Sequence, residues 1–238
     1  MKYGYRTIAA AVAIALVPLV TDAEDYTPDV AEFGADTALS FAGHPAFNMG
    51  EGGTIEFWVG PDWESDPGYD PVVLSSDAEH NLSYVFSMLG DKSGFAVQTD
   101  DEIGEVDFDF GDGAMHHVAV VILNESIVVM VDGQPLDELS FTLPNEDPVQ
   151  LYVGSINGEA LPFVGAIGGL RFWDVALEQD ELVVWAMLDP LDPEFLHPDV
   201  SALSAYSDLT QDTIEISDFL WADVDEDEEP VAVVEASQ

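Results

Sequence analysis

The sequence predicts an all-β sandwich or barrel, on three observations. Between residues 38 and 173, short apolar runs of about 5–8 residues recur, each bounded by Gly, Asp, Asn or Pro. One of them, Glu105 to Phe110, alternates strictly between acid and apolar residue, the period of a strand with one wet face. A helical period is found once, late in the chain.

In order, the runs are ALSFAG (38–43), TIEFWVG (54–60), PVVLSS (71–76), LSYVFSML (82–89) and GFAVQT (94–99). They continue with EVDFDF (105–110), HHVAVVIL (116–123), SIVVMVDG (126–133), VQLYVG (149–154) and AIGGLRFW (166–173). Asp91 to Gly94 and Asn124-Glu125 read as hairpin turns, and Asp132-Gly133 turns the chain after a strand. LEQDELVVWAML (177–188) is the helical candidate, with acids in its first turn and an apolar stripe of Leu182, Val183, Trp185 and Ala186. Pro190 and Pro193 stop it. Residues 197–218 supply two further strand-like runs.

The ends read differently. MKYGYR followed by TIAAAVAIALVPLV has the layout of a secretory signal peptide, 1–23, with a small residue at the cut after Ala23. The apolar run is short for a bilayer span. A secreted destination follows, whether extracellular, cell-surface or periplasmic. Residues 24–37 are a lead-in, 38–217 the folded domain, and 218–238 an acidic tail expected to be disordered. Asp223, Asp225 and Asp227 of that tail imitate a Ca²⁺ loop. Glu228 stands where that loop needs Gly, and Val234 where it needs Glu.

Composition excludes more than it assigns. Hydrophobic residues make up 47% of the chain, enough for a large core. Forty-eight acids face four bases, a formal net charge of −44. Loss of the leader would leave only Lys92 and Arg171. Nucleic acid and anionic membranes, which are bound through Lys and Arg, are therefore excluded as partners. Self-repulsion of this size is relieved by salt, which points to a halophilic or marine setting. There is no cysteine, so disulfides and thiolate metal sites are excluded too.

The order of segments resembles laminin-G-like and pentraxin-like domains of the concanavalin A-like superfamily. ALSFAG…GGTIEFWVGPDW is similar to their opening. MHHVAVVILNESIVVMVDGQPL resembles their central strand pair, and PFVGAIGGLRFWDVALEQDEL their closing motif. The resemblance covers residues 38–187. It implies a two-sheet antiparallel jelly-roll sandwich with one short helix after the last core strand, and no enzyme activity.

Candidate sites follow from that frame. Many such relatives bind Ca²⁺ at one rim, yet the acidic pair expected after Gly-x-Ile is here Gly168-Gly169, and the calcium loop of pentraxins is replaced by INGEALP (156–162). Asp100, Asp101 and Glu102 are the alternative acidic loop, either a Ca²⁺ site or a solvated turn. For sugar, Trp63 and Tyr69, with Asp66 between them, lie in a Pro/Gly/Asp loop rather than a strand, where binding residues concentrate. Family 16 glycosidases share the implied fold and place two Glu about 5–5.5 Å apart on a strand. Glu105, Asp107 and Asp109 imitate that strand, with Asp where the last Glu belongs. Neighbouring His116 and His117 face opposite ways on a strand, one packed and one wet. The expected function is a binding module whose partner is a glycan or an extracellular surface protein. The alternatives are a structural component of an extracellular assembly, and the glycosidase.

Overall fold

The computed structural model describes residues 29–77, 82–146, 148–186, 188, 197–210, 213–217 and 231–235. The leader and residues 218–230 lie outside the described residues. In chain order the first strands are β1 (Val30–Phe33), β2 (Leu39–Ala42), β3 (Gly53–Pro61), β4 (Val72–Asp77), β5 (Leu82–Met88), β6 (Gly94–Gln98) and β7 (Ile103–Asp107). Then come β8 (His116–Ile122), β9 (Ile127–Val131), β10 (Gln134–Leu139), β11 (Gln150–Val153) and β12 (Gly165–Trp173). A helix, α1 (Gln179–Trp185), precedes β13 (Leu203–Ser207), β14 (Thr213–Ser217) and β15 (Val231–Glu235).

Two antiparallel sheets result, consistent with a jelly roll. The nine-stranded sheet runs β10-β9-β8-β3-β12-β13-β14-β15, with β1 also against β12; the six-stranded sheet runs β2-β11-β4-β5-β6-β7. Phe57 of β3, Phe86 of β5, Phe95 of β6, Val120 of β8 and Leu151 of β11 fill the space between them. The larger sheet is covered on its outer face as well. There Ala119, Val121, Met130 and Trp173 pack beneath Leu177 and Leu182. A strand covered on both faces needs apolar residues on both, which is why HHVAVVI shows no polar alternation.

Three segments differ from the reading above. Val30–Phe33, inside the supposed lead-in, pairs with Gly165 to Gly168 of β12. A Cβ on Gly168 would lie 2.2 Å from the Asp29 carbonyl oxygen, so this glycine is what lets β1 come alongside. Val231–Glu235, inside the tail expected to be disordered, pairs with β14. Its β-branched run VAVVE favours a strand and was masked by acidic neighbours. Finally, EVDFDF is a strand only through Asp107, because Asp109 accepts a hydrogen bond from the Gly111 N–H and closes a turn.

Among the described residues no helix is long and apolar enough to cross a membrane. With so few cations to offset its charge, the fold is expected to melt at rising temperature as NaCl is raised from low to molar concentration. A thermal midpoint that stays flat or falls in that titration would refute the self-repulsion argument.

Candidate functional site

Three loops meet at one rim of the sandwich. Residues 34–38 join β1 to β2, 62–71 join β3 to β4, and 154–164 join β11 to β12. The last loop is stitched to its surroundings by backbone. The Gly154 N–H donates to Val73, Val72 N–H to Leu161, Phe163 N–H to Gly154 and Asp62 N–H to Val164. The Ser75 hydroxyl adds a 3.0 Å bond to the Ser155 carbonyl.

This loop holds an unusual backbone. Gly154, Asn157, Gly158 and Leu161 lie at φ of 84°, 55°, 74° and 52°. Leucine disfavours that conformation, and strain of this kind, held in place by surrounding bonds, concentrates at functional sites.

Between the first and third loops lies a pocket of about 260 Å³, lined by Asp36, Thr37, Ser155, Gly158, Glu159 and Pro162 among others. Ser155 is 1% exposed and its Oγ has no hydrogen-bond partner. A buried hydroxyl left in that state costs about 1–3 kcal/mol. The pocket therefore offers the Asp36 and Glu159 carboxylates and the Thr37 hydroxyl, a set suited to hydroxyl or amine donors.

The residues expected to stack on sugar support this pocket from outside. Trp63 is half-buried, its Nε1 donating to the Gly90 carbonyl at 2.8 Å and its ring edge-on to Phe163 at 5.7 Å. The Lys92 ammonium sits 5.1 Å from that ring's centroid. Tyr69 donates its hydroxyl to the Pro162 carbonyl at 3.2 Å, bracing one wall of the pocket. Asp66 accepts the Gly68 N–H at 2.7 Å, a local turn. Asp36, Thr37, Ser155 and Glu159 carried no motif that sequence reasoning would single out.

Asp100, Asp101 and Glu102 are exposed at the β6–β7 turn. The turn is closed on itself by Thr99 N–H to Glu102 O and Glu102 N–H to Thr99 Oγ1. Among the described residues no three His, Asp or Glu side chains gather as they would around a metal. The acidic loop considered for Ca²⁺ is an exposed turn closed on itself by these bonds.

Glu105 and Asp107 are exposed on edge strand β7, while Asp109 has left the strand. The row of three carboxylates is thus only two long.

A second cleft, about 350 Å³, opens under α1 and is lined by Trp58, Met115, His116, His117, Asp132 and Val183 among others. The two histidines do face opposite sides, but neither is wet, at 6% and 3% exposure. His116 lies edge-on to Phe108 and Phe110 and bridges Asp132 (2.8 Å) and Asp112 (3.1 Å). Burial opposes its protonation, but hydrogen bonds to the two carboxylates outweigh burial and raise its pKa above the ordinary 6.5. Its stabilising contribution is accordingly complete below pH 6.5 and is lost as pH rises through the folded-state value. An NMR titration of the His116 ring is expected to give a midpoint above 6.5, and Asp112→Asn to lower it. A midpoint at or below 6.5 would contradict the bridge.

His117 belongs to a buried network. Its Nε2 meets Glu56 Oε2 at 2.8 Å, while Glu56 Oε1 accepts from Arg171 (3.1 Å) and Trp173 (3.0 Å). Burial alone would raise the Glu56 pKa. The Arg171 charge, followed by His117 and Trp173, overcomes it and holds the carboxyl at about 2. Arg171 also donates to the Trp185 and Leu188 carbonyls at the end of α1. Helix α1 has no base in its last turn, so the cation its carbonyls favour comes from β12. Both ring nitrogens of His116 and the carboxyl of Glu56 are committed to structure.

The sequence matches the laminin-G-type family over residues 33–183. The chain belongs to the concanavalin A-like lectin/glucanase superfamily. No curated protein matches it in sequence. Among solved structures, a proposed carbohydrate-binding protein of Bacteroides ovatus is similar at 16% identity and TM-score 0.59, over 80% of this chain and 56% of that one. The heptameric SAP-like pentraxin of Limulus polyphemus is similar at 13% and 0.57, over 87% and 95%. The binding domain of botulinum neurotoxin serotype G follows at 9% and 0.51, over 65% and 41%. This lectin-superfamily chain thus spans little more than half of the Bacteroides protein and less than half of the neurotoxin domain. At these identities the likeness is one of fold.

Proposed function

We propose that this protein is a non-enzymatic glycan-binding module whose ligand enters the rim pocket at Asp36, Thr37, Ser155 and Glu159. The observation that carries the reading is the polar rim pocket of about 260 Å³ between two loops, lined by Asp36, Thr37 and Glu159, a size suited to one sugar ring. Membership of a lectin superfamily and a carbohydrate-binding structural neighbour support it as fold-level arguments. In this reading Trp63, Tyr69 and Asp66 form the wall behind the site, and the acidic, cysteine-free chain works outside the cytoplasm in salt-rich water.

A glycan array tests it. Wild type is expected to bind a restricted set of glycans, and Thr37→Trp, which fills the pocket from an exposed position, to lose them at unchanged melting temperature. A blank array, or binding that survives Thr37→Trp, would refute the reading.

A further inference from the structure

Resting on the part of that reading that puts the chain outside the cytoplasm, we propose that Asn124 is an acceptor of N-linked glycan, carried at the end of the sandwich opposite the rim pocket. Asn124-Glu125-Ser126 has the spacing Asn-x-Ser with x other than Pro, the mark of asparagines glycosylated during export. Asn48, Asn145 and Asn157 have no Ser or Thr two residues on. Asn81-Leu82-Ser83 repeats the triplet, with Asn81 outside the described residues.

The fold presents this asparagine where a sugar chain can be carried. The hairpin between β8 and β9 is closed by the Leu123 N–H, which donates to the Ser126 carbonyl at 2.8 Å. Asn124 and Glu125 stand exposed at its tip. The Ser126 hydroxyl, which completes the triplet, donates to Glu138 at 2.6 Å in an exposed bond. Strand register sets the hairpin apart from the pocket. Ile122, the last residue of β8, pairs with Gly53, the first of β3, while the rim loops begin beyond Pro61, the last. The nine residues of β3 thus put roughly 25 Å between the two ends, and a glycan on Asn124 leaves the pocket open. In the transfer, the Asn124 carboxamide nitrogen bonds to the anomeric carbon of a lipid-linked oligosaccharide. The bond from that carbon to the lipid's phosphate oxygen breaks, and the phosphate leaves with the proton that the amide loses.

Tandem mass spectrometry on peptides of the full chain, isolated from the organism that makes it, tests the assignment. The peptide holding Asn124 is expected to carry whole sugar residues on that asparagine. Ser126→Ala, which keeps Asn124 but ends the triplet, is expected to lose them, and Ser126→Thr, which keeps the hydroxyl, to retain them. Asn124→Gln is expected to lose them too, yet to bind the sugars of the array with unchanged affinity. Melting curves verify that all three variants fold. A bare Asn124 in the exported protein, or sugar confined to Asn81, would overturn the acceptor assignment while leaving the glycan-binding reading in place. Sugar on Asn124 that survives Ser126→Ala would overturn it as well. Weakened array binding by folded Asn124→Gln would contradict the separation of the two ends. A chain found inside the cell with its leader uncut would overturn the acceptor and the extracellular placement together.

Discussion

Glu56→Ala is expected to destabilise the fold by about 3–5 kcal/mol, the cost of stranding a buried charge by deleting its partner. Arg171, 2% exposed, would be left with two backbone carbonyls and no counterion, and the His117 and Trp173 ring N–H groups would lose an acceptor. For a chain of this size that is a fall of roughly 6–20 °C in melting temperature. The pH dependence identifies the cause. A carboxyl held at about 2 when folded, against 4.5 ordinarily, stabilises the fold above pH 4.5 and loses that contribution as pH falls through about 2. The difference between wild type and Glu56→Ala should thus be full at pH 6 and shrink on approach to pH 2. Glu56→Leu with Arg171→Met should recover much of the loss, since an apolar pair can replace a buried ion pair. A single variant that melts within a degree of wild type would contradict the network.

Gly154→Ala is expected to cost about 2–5 kcal/mol and to abolish ligand binding with it. Two penalties combine. Alanine at a φ of 84° costs about 1–2 kcal/mol. Its Cβ would lie 2.5 Å from the buried Phe33 ring, an overpacking worth about 1–3 kcal/mol. Phe33 anchors β1, and Gly154 begins the loop that carries Ser155 and Glu159, so the pocket deforms from both sides. Gly158→Ala separates the penalties. Its φ is 74°, but an added Cβ meets nothing within 4 Å, so only the backbone cost of about 1–2 kcal/mol is expected. Equal losses at the two glycines in chemical denaturation would contradict the packing argument.

The strands were legible in the sequence because burial imposes a period, and the superfamily because its motifs keep their order. TIEFWVG, HHVAVVIL and AIGGLRFW are all strands, and Asp132-Gly133 does turn the chain. What escaped notice is long-range. Nothing local in Val30–Phe33 says that it will lie against β12; the trace was Gly168, read only as an acid missing from a calcium site. Arg171, set in an apolar strand of a chain almost without bases, signalled a buried counterion, but its partner Glu56 lies 115 residues away. The aromatic loop at Trp63 and Tyr69 lies at the rim that holds the polar pocket, because loops that close a sandwich edge also flank its pockets. It gave no sign of Asp36, Thr37 and Ser155, which line that pocket and meet only through the fold.

The acids of the β7–β8 segment illustrate the same limit. Alternation correctly placed Glu105 and Asp107 on a wet face. Asp109 and Asp112 instead accept local N–H groups, from Gly111 and Ala114, and Asp112 also meets His116. In so acidic a chain, carboxylates build turns as readily as they build sites.

The central claim is that ligand enters between residues 34–38 and 154–162. Backbone amide NMR of the labelled protein, titrated with the best sugar from the array, tests it most directly. Saturable shifts are expected at Asp36, Thr37, Ser155, Gly158 and Glu159, with smaller ones at Tyr69 through Pro162. Shifts centred instead on Met115, His116, Asp132 and Val183 would place the ligand under α1 and contradict this account.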